Sequence, residues 1–291
     1  MSFNVIGVGE ILWDMLPSGK QMGGAPANFA YHAHALGARS RVISRIGRDT
    51  LGVEILQRLQ ALGLPTADIQ IDPSAPTGTV SVELSPEGQP RFTIHEKVAW
   101  DGLALEKAAL AAVAKADAVA FGTLAQRHEP SRSTIQALLA AVRPEAWRIL
   151  DLNLRQHYFS REIIETSLRL ANIVKFNDTE LPVLAELLGL RGSAREQMEQ
   201  LARRHVQRLV CLTRGASGSL LYSEGHWAED PGQAVVVKDT VGAGDAFTAT
   251  LAVGVLAGKP LEAINRRANQ VARSVCSQEG ATPPLPDFPE P

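Results

Sequence analysis

The chain is poor in cysteine: Cys211 and Cys276 are the only two in 291 residues, and each stands alone in an apolar stretch. Without a CxxC pair or a Cys/His spacing, a zinc site has no ligand set, and two isolated thiols in a reducing cytoplasm are the expected setting. No run of eighteen apolar residues offers a membrane span. The start, MSFNVIGVGE, lacks the charged and apolar regions of a signal peptide. Long basic runs are absent and the formal net charge is -2, so sequence-independent nucleic-acid binding has little electrostatic support. Arg203-Arg204 and Arg266-Arg267 read as solvated helix faces. The phosphate-binding GxxxxGK[ST] loop, HExxH and GxSxG are also missing, and Gly7-Val8-Gly9 lacks the third glycine of a dinucleotide fingerprint. His32 and His34 are two apart on a helix and point to different faces, a poor metal pair.

What is present is ordinary globular composition, 45% apolar and 21% charged, at a length that suits one large α/β domain. Apolar strands alternate with amphipathic helices. Strands are expected at Phe3–Val8, Arg41–Ile46, Ala118–Phe121, Arg148–Leu152, Ile173–Phe176 and Arg208–Leu212. Ser219–Tyr222 and Ala234–Val237 add strands at one edge. Helices are expected from Gly24 to about Leu36, at Thr50–Leu62, Glu106–Lys115, Ser131–Val142, Arg161–Leu170 and Ala194–His205, then Ala243–Leu256 and Leu261–Ser277. That alternation argues for a mostly parallel sheet covered on both sides. Between Thr77 and His95 the texture changes to strict alternation around a Pro86-Glu87-Gly88 turn, a hairpin with one polar face outside the main sheet.

The most informative segment is Asp239-Thr240-Val241-Gly242-Ala243-Gly244-Asp245. Glycines at a helix start let backbone N–H groups approach a ligand, and the helix dipole favours an anion. A carboxylate there suits acceptance of a proton from an attacking hydroxyl. On spacing alone, a plain glycine loop whose Asp complements the dipole is as good a reading. Gly23-Gly24-Ala25-Pro26-Ala27-Asn28 opens another helix, where Asn28 either meets hydroxyls or sits on a polar face. Asp151-Leu152-Asn153-Leu154-Arg155 ends a strand, where open α/β sheets bind ligands. Arg155 there either binds a substrate oxygen or pairs with Asp151. Asn177-Asp178-Thr179-Glu180 starts a helix and fits a capping pair.

The Asp239–Asp245 segment, with the Gly23–Asn28 segment and Gly47–Gly52 in the right order, resembles the two signatures of PfkB-type, ribokinase-like carbohydrate kinases. The resemblance extends from Gly9 to Asn269 and is strongest toward fructokinases. It implies a three-layer α/β/α fold with a mostly parallel sheet, built as a single domain over 1–291. A small β-lid would come mainly from about 77–98 and part of 10–22. It implies ATP and Mg²⁺, with phosphoryl transfer to a sugar hydroxyl. Gly242, Ala243 and Gly244 would form the anion hole and Asp245 would be the base. Asp14, Gly24, Asn28 and Arg155 would contact sugar. Lys175, Asn177, Thr213, Gly215, Gly218 and Asn269 would contact nucleotide. Glu180 would organise magnesium through water, and Asp239 would border a K⁺ site found in some relatives. For Asp14, Lys175 and Asn269 the plain alternatives are a turn, a solvated strand end and a solvated helix position. Fructose is the first sugar. 2-Keto-3-deoxygluconate, a nucleoside, or a non-catalytic sugar-binding regulator are the rivals. A lid with an apolar face could also clasp a second copy as a homodimer.

Overall fold

The computed structural model describes residues 2–17, 19–84 and 90–287. The first strand, β1 (Asn4–Val8), is followed by β2 (Leu12–Leu16), β3 (Gly19–Gly23) and helix α1 (Ala25–Ala35). Next come β4 (Arg39–Gly47), α2 (Thr50–Ala61), β5 (Ile69–Asp72), β6 (Gly78–Leu84) and β7 (Pro90–Ile94). The chain then alternates through α3 (Lys107–Val113), β8 (Ala118–Phe121), α4 (Glu129–Ala140), β9 (Trp147–Asp151), α5 (Arg161–Leu170) and β10 (Ile173–Asn177). Helices α6 (Glu180–Leu188) and α7 (Ala194–His205) precede β11 (Leu209–Thr213), β12 (Ser219–Ser223) and β13 (His226–Asp230). Helices α8 (Ala243–Leu256) and α9 (Leu261–Cys276) close the fold.

One sheet has nine strands in the order β13-β12-β11-β10-β9-β8-β1-β4-β5. It is parallel except at the β11–β12 and β12–β13 pairs. The pleat sorts its side chains into two cores. Val5, Ala118, Ile149, Ile173 and Leu209 pack with Phe29 of α1, Phe247 of α8 and Ile264 of α9. Their neighbours Ile6, Val119, Leu150, Val174 and Val210 pack on the other face with Ile135, Ile164, Leu184 and Met198 of α4 to α7. The result is the ribokinase-like three-layer arrangement. No described helix is long and apolar enough to cross a membrane.

A second sheet, β3-β2-β6-β7, stands apart from the first. Asp14, Val80 and Ile94 are register partners across it and so share one face, with Val80 and Ile94 buried. The expected Pro86-Glu87-Gly88 turn lies outside the described residues.

The expected strand at Ala234–Val237 is not formed. That stretch is irregular, with Val236 84% exposed. Strand β13, which periodicity missed, takes the sheet edge by pairing with β12 instead. A β-branched run without a partner edge has nothing to hydrogen-bond with, and its propensity is overridden. Strands β2 and β3 fall in the 10–22 stretch expected to join the small sheet, while β5, only four residues that alternate apolar and polar, is too short to stand out as an apolar run.

Candidate active site

The site lies along the carboxyl ends of the parallel strands. Gly242 enters α8 in the left-handed region (φ 80°), and any Cβ there would run into Ala281. The first N–H groups of the helix have no partner inside it, and that of Ala243 makes only a long 3.4 Å contact to the Thr240 carbonyl, which an anion could replace. Asp245 is in that first turn. Its Oδ2 accepts from Asn28 Nδ2 at 2.8 Å, so α1 and α8 meet through this contact. Burial raises its pKa to about 6; Asp151 adds to the rise, while Asn28, Lys175 and Arg155 oppose it. The carboxyl is therefore a far better proton acceptor near neutrality than an ordinary aspartate.

Under this turn sits a buried ion pair. Lys175 Nζ donates to both oxygens of Asp151, at 3.1 and 2.9 Å. Thr248 Oγ1 donates to Asp151 Oδ2 at 2.8 Å, and also approaches the Gly244 carbonyl at 2.9 Å. A Cβ on Gly244 would lie 3.1 Å from Lys175 Nζ. Burial pushes the Lys175 pKa down, but the Asp151 charge and hydrogen bond outweigh it and leave the ammonium raised. Lys175 thus underlies the glycine turn and does not line the groove that opens beside that turn. Asp151 takes Lys175 as its partner, so the alternative pairing with Arg155 is not formed.

The charge of one guanidinium, that of Arg155, reaches three carboxyls. Glu10 is 2% exposed, and its Oε2 has no hydrogen-bond partner. Burial lifts its pKa to about 7 despite its own backbone N–H, with Asp245 adding to the rise and Arg155 opposing it. Asp14 is in β2, not in a turn. Burial raises it to about 6; Arg155 opposes the rise and Asp239 adds to it. Arg155 itself is exposed, and its charge is felt by Glu10, Asp14 and Asp245. Gly24 (φ 110°) lets α1 begin against Glu10, whose carbonyl would be 2.5 Å from any Cβ.

Beside the turn opens a groove of about 570 Å³, lined among others by Asn177, Thr213, Gly215, Gly218, Gly244 and Asn269. Gly218 (φ 76°) faces the Asp230 carbonyl so closely that no side chain fits. Asn269 Nδ2 is tied to Ser219 Oγ at 2.7 Å and to Asn265 O at 2.9 Å. At the groove's inner end Glu180 Oε2 accepts from Asn177 N at 2.8 Å, and Asn177 Oδ1 accepts from Glu180 N at 2.9 Å. This is a reciprocal capping pair. The other oxygen, Oε1, accepts from Leu154 N at 2.8 Å, so Glu180 also fixes the loop carrying Arg155. Burial raises its pKa, Asp151 adds to the rise, and Lys175 opposes it.

Asp239 Oδ1 accepts from Val241 N and Oδ2 from Gly280 N, each at 3.0 Å. Among the described residues no cluster of three or more His, Cys, Asp or Glu could hold a metal unaided. A metal that keeps its waters and leans on phosphate oxygens fits the donors present, Glu180 above all.

Sequence reasoning passed over Glu10 and Thr248. Glu10 lies two residues past the end of β1, and its carbonyl abuts Gly24 at the start of α1, a position that strand-end logic could have flagged.

Hydrogen-bond donors at a helix start, beside a buried carboxyl with a raised pKa, suit phosphoryl transfer to an alcohol group. The chain belongs to the pfkB family of carbohydrate kinases, whose profile matches residues 18–287. It is a sugar kinase. A fructokinase of Klebsiella pneumoniae is 31% identical over 262 residues, spanning 86% of this chain and 83% of that protein. The structure of an uncharacterized sugar kinase from Pyrococcus horikoshii, solved with ATP, superposes with a TM-score of 0.79 at 28% identity, covering 96% of this chain and 93% of that one. A fructokinase double mutant from Vibrio cholerae O395, solved with fructose, ADP and a potassium ion, gives 0.82 at 26% identity, covering 98% and 96%.

Proposed function

We propose that the chain phosphorylates fructose, using ATP, with Asp245 as the base. The observation that carries the reading is the Asn28–Asp245 contact at 2.8 Å, because it sets a raised carboxyl beside the open N-terminus of α8. The sugar hydroxyl would donate its proton to Asp245 as it attacks the γ-phosphorus, and the bond from that phosphorus to the bridging β–γ oxygen would break to release ADP. The N–H groups of Gly242, Ala243 and Gly244 would take up charge on the transferred group. Lys175, held by Asp151, would add positive potential from below. ATP would lie in the groove against Thr213, Gly215, Gly218 and Asn269. Magnesium bound with the nucleotide would offset phosphate charge, and Glu180 would hold it through water. Asp239 would border a potassium ion that stiffens the turn. The four-stranded sheet would act as a lid that brings Asp14 over the sugar.

Asp14 and Arg155 together favour a neutral ketose. A substrate carboxylate would gain from Arg155 and be repelled by Asp14 if both met the same end of it. Relatives named fructokinase point the same way. Loss of one hydrogen bond to a charged group is worth about 1.5–3 kcal/mol. Asp14→Ala is therefore expected to raise the fructose KM roughly 10- to 100-fold and the ATP KM by less than about twofold. Steady-state kinetics with each substrate varied decides it, and equal rises in both constants would remove Asp14 from the sugar site.

Glu180→Gln tests the metal role. An outer-shell partner typically contributes about 10-fold or more in metal affinity. The magnesium concentration at half-maximal rate is expected to rise by about that factor. Gln also cannot accept from both Leu154 N and Asn177 N without turning its own N–H₂ onto a donor, so stability should fall too. A fall in stability with unchanged magnesium dependence would leave Glu180 as a capping residue alone.

A further inference from the structure

Helix α1 carries a second inward-facing polar side chain one turn beyond Asn28. His32 is fully buried, and its Nε2 lies 2.9 Å from the carbonyl of Ala281. A carbonyl oxygen can only accept, so the ring must present Nε2–H; Nδ1 is buried with no partner, which disfavours a second N–H there and leaves the neutral Nε2–H tautomer. Burial pushes the imidazole pKa down to about 4, against the pull of the Ala281 carbonyl, which agrees with that tautomer. His34, two residues on, is exposed and has no part in this contact.

Ala281 belongs to the irregular segment that follows α9. Around it, Tyr31 Oη donates to the Pro283 carbonyl at 2.9 Å, and Gly280 N donates to Asp239 Oδ2 at 3.0 Å. The segment is therefore a strap laid across α1 and the entry to α8. Its Ala281 abuts Gly242 directly: the carbonyl and Cα of Ala281 occupy the space a Cβ on Gly242 would need. Gly242 is the residue whose left-handed conformation starts α8 and aims the turn. Asn28 and His32 are four residues apart and so lie on the same side of α1. One contacts the carboxyl of Asp245. The other contacts the backbone that backs Gly242.

We infer that His32 is a positioning residue for phosphoryl transfer: through the Ala281 carbonyl it holds the strap against Gly242, so that one face of α1 sets both the base and the anion-binding turn. The inference rests on the reading that Asp245 and the Gly242–Gly244 turn carry the transfer. Without the ring N–H, the buried Ala281 carbonyl lacks its donor, and the strap must move to find another. The turn it backs then loses its fixed geometry. Displacement of a catalytic group by about 1 Å can reduce rate roughly 100-fold.

The test compares His32→Gln, whose amide can reach the position of Nε2, with His32→Asn, whose amide is too short, and with His32→Leu. Each is assayed with ATP and fructose, and each is followed by amide hydrogen exchange over residues 240–247. For Leu and Asn the expected result is a kcat about 10- to 100-fold lower. Both KM values should stay within about twofold, and exchange in the turn should be faster. Gln is expected to recover kcat to within about threefold, and slow exchange with it. Tyr31→Phe, which loosens the strap at Pro283 but leaves Ala281 tied, should lower the melting temperature and spare kcat. Wild-type kcat per folded molecule in the Asn variant, with unchanged exchange in the turn, would overturn the inference, as would a Gln variant as slow as Asn. If the Leu variant does not fold, the Gln–Asn pair decides. If the wild-type enzyme does not turn over fructose, the exchange comparison decides independently, and the failure belongs to the choice of substrate.

Discussion

Replacing Asp245 with Asn is expected to lower kcat by about 10²–10⁴-fold while ATP binding changes little. The amide oxygen can still accept from Asn28, so the α1–α8 contact survives and only the proton acceptor is lost. The substitution should also stabilise the protein at neutral and alkaline pH. Burial raises the carboxyl from 3.8 to about 6 in the fold, so its ionisation opposes folding. The stability associated with the neutral carboxyl is fully present below about pH 4 and is lost as pH rises through about 6. At pH 8 the Asn variant should therefore melt above the wild type, and at pH 4 and below the difference should vanish. In the wild type, kcat should rise with pH through about 6 as the base ionises. A folded Asn variant with near-wild-type turnover would remove Asp245 from the chemistry.

Lys175→Met should strike stability and rate together. Lys175 and Asp151 have side chains only 7% and 10% exposed. Removing one partner of such a pair typically destabilises by about 3–5 kcal/mol, because the other charge is left buried. Thr248 keeps its hydrogen bond to Asp151 but cannot neutralise it. The rate should also fall, by roughly 10- to 100-fold, since a positive charge beneath the anion-binding turn is gone. Lys175 lowers the pKa of Asp245, so its loss should move the acid limb of kcat upward from about 6. The double variant Asp151→Asn/Lys175→Met should regain much of the stability but not the rate, since no charge is stranded. Denaturant melts and pH–rate profiles on Lys175→Met, Asp151→Asn and the double variant check this. Additive stability losses would mean that the two residues do not act as a pair.

Local signals explain how far the sequence could be read. Helices α5 and α7 start where Ser160 and Ser193 accept hydrogen bonds from the N–H groups of Ile163 and Glu196, and α8 starts where Gly242 turns the chain. These are short-range devices, and their boundaries were visible as residue types. The glycine turn with Asp245 was legible for the same reason. The partners of Asp245 were not, because Asn28 is 217 residues away and meets it only through packing of α1 on α8. Lys175 shows the limit at a single residue. At a strand end it could face ligand or interior. The pleat, which pairs it in register with Cys211 and Asp151, turns it under α8. Val235-Val236-Val237 shows the opposite error, strong propensity without an edge to join.

The most direct test is kcat/KM for fructose against 2-keto-3-deoxygluconate on the wild-type enzyme, by coupled detection of ADP with ATP saturating. Fructose-dependent ADP formation, with fructose preferred over the keto-acid, is the expected result. A keto-acid preference of more than about tenfold, equal to roughly 1.4 kcal/mol in transition-state stabilisation, would contradict it and make Arg155 a carboxylate anchor.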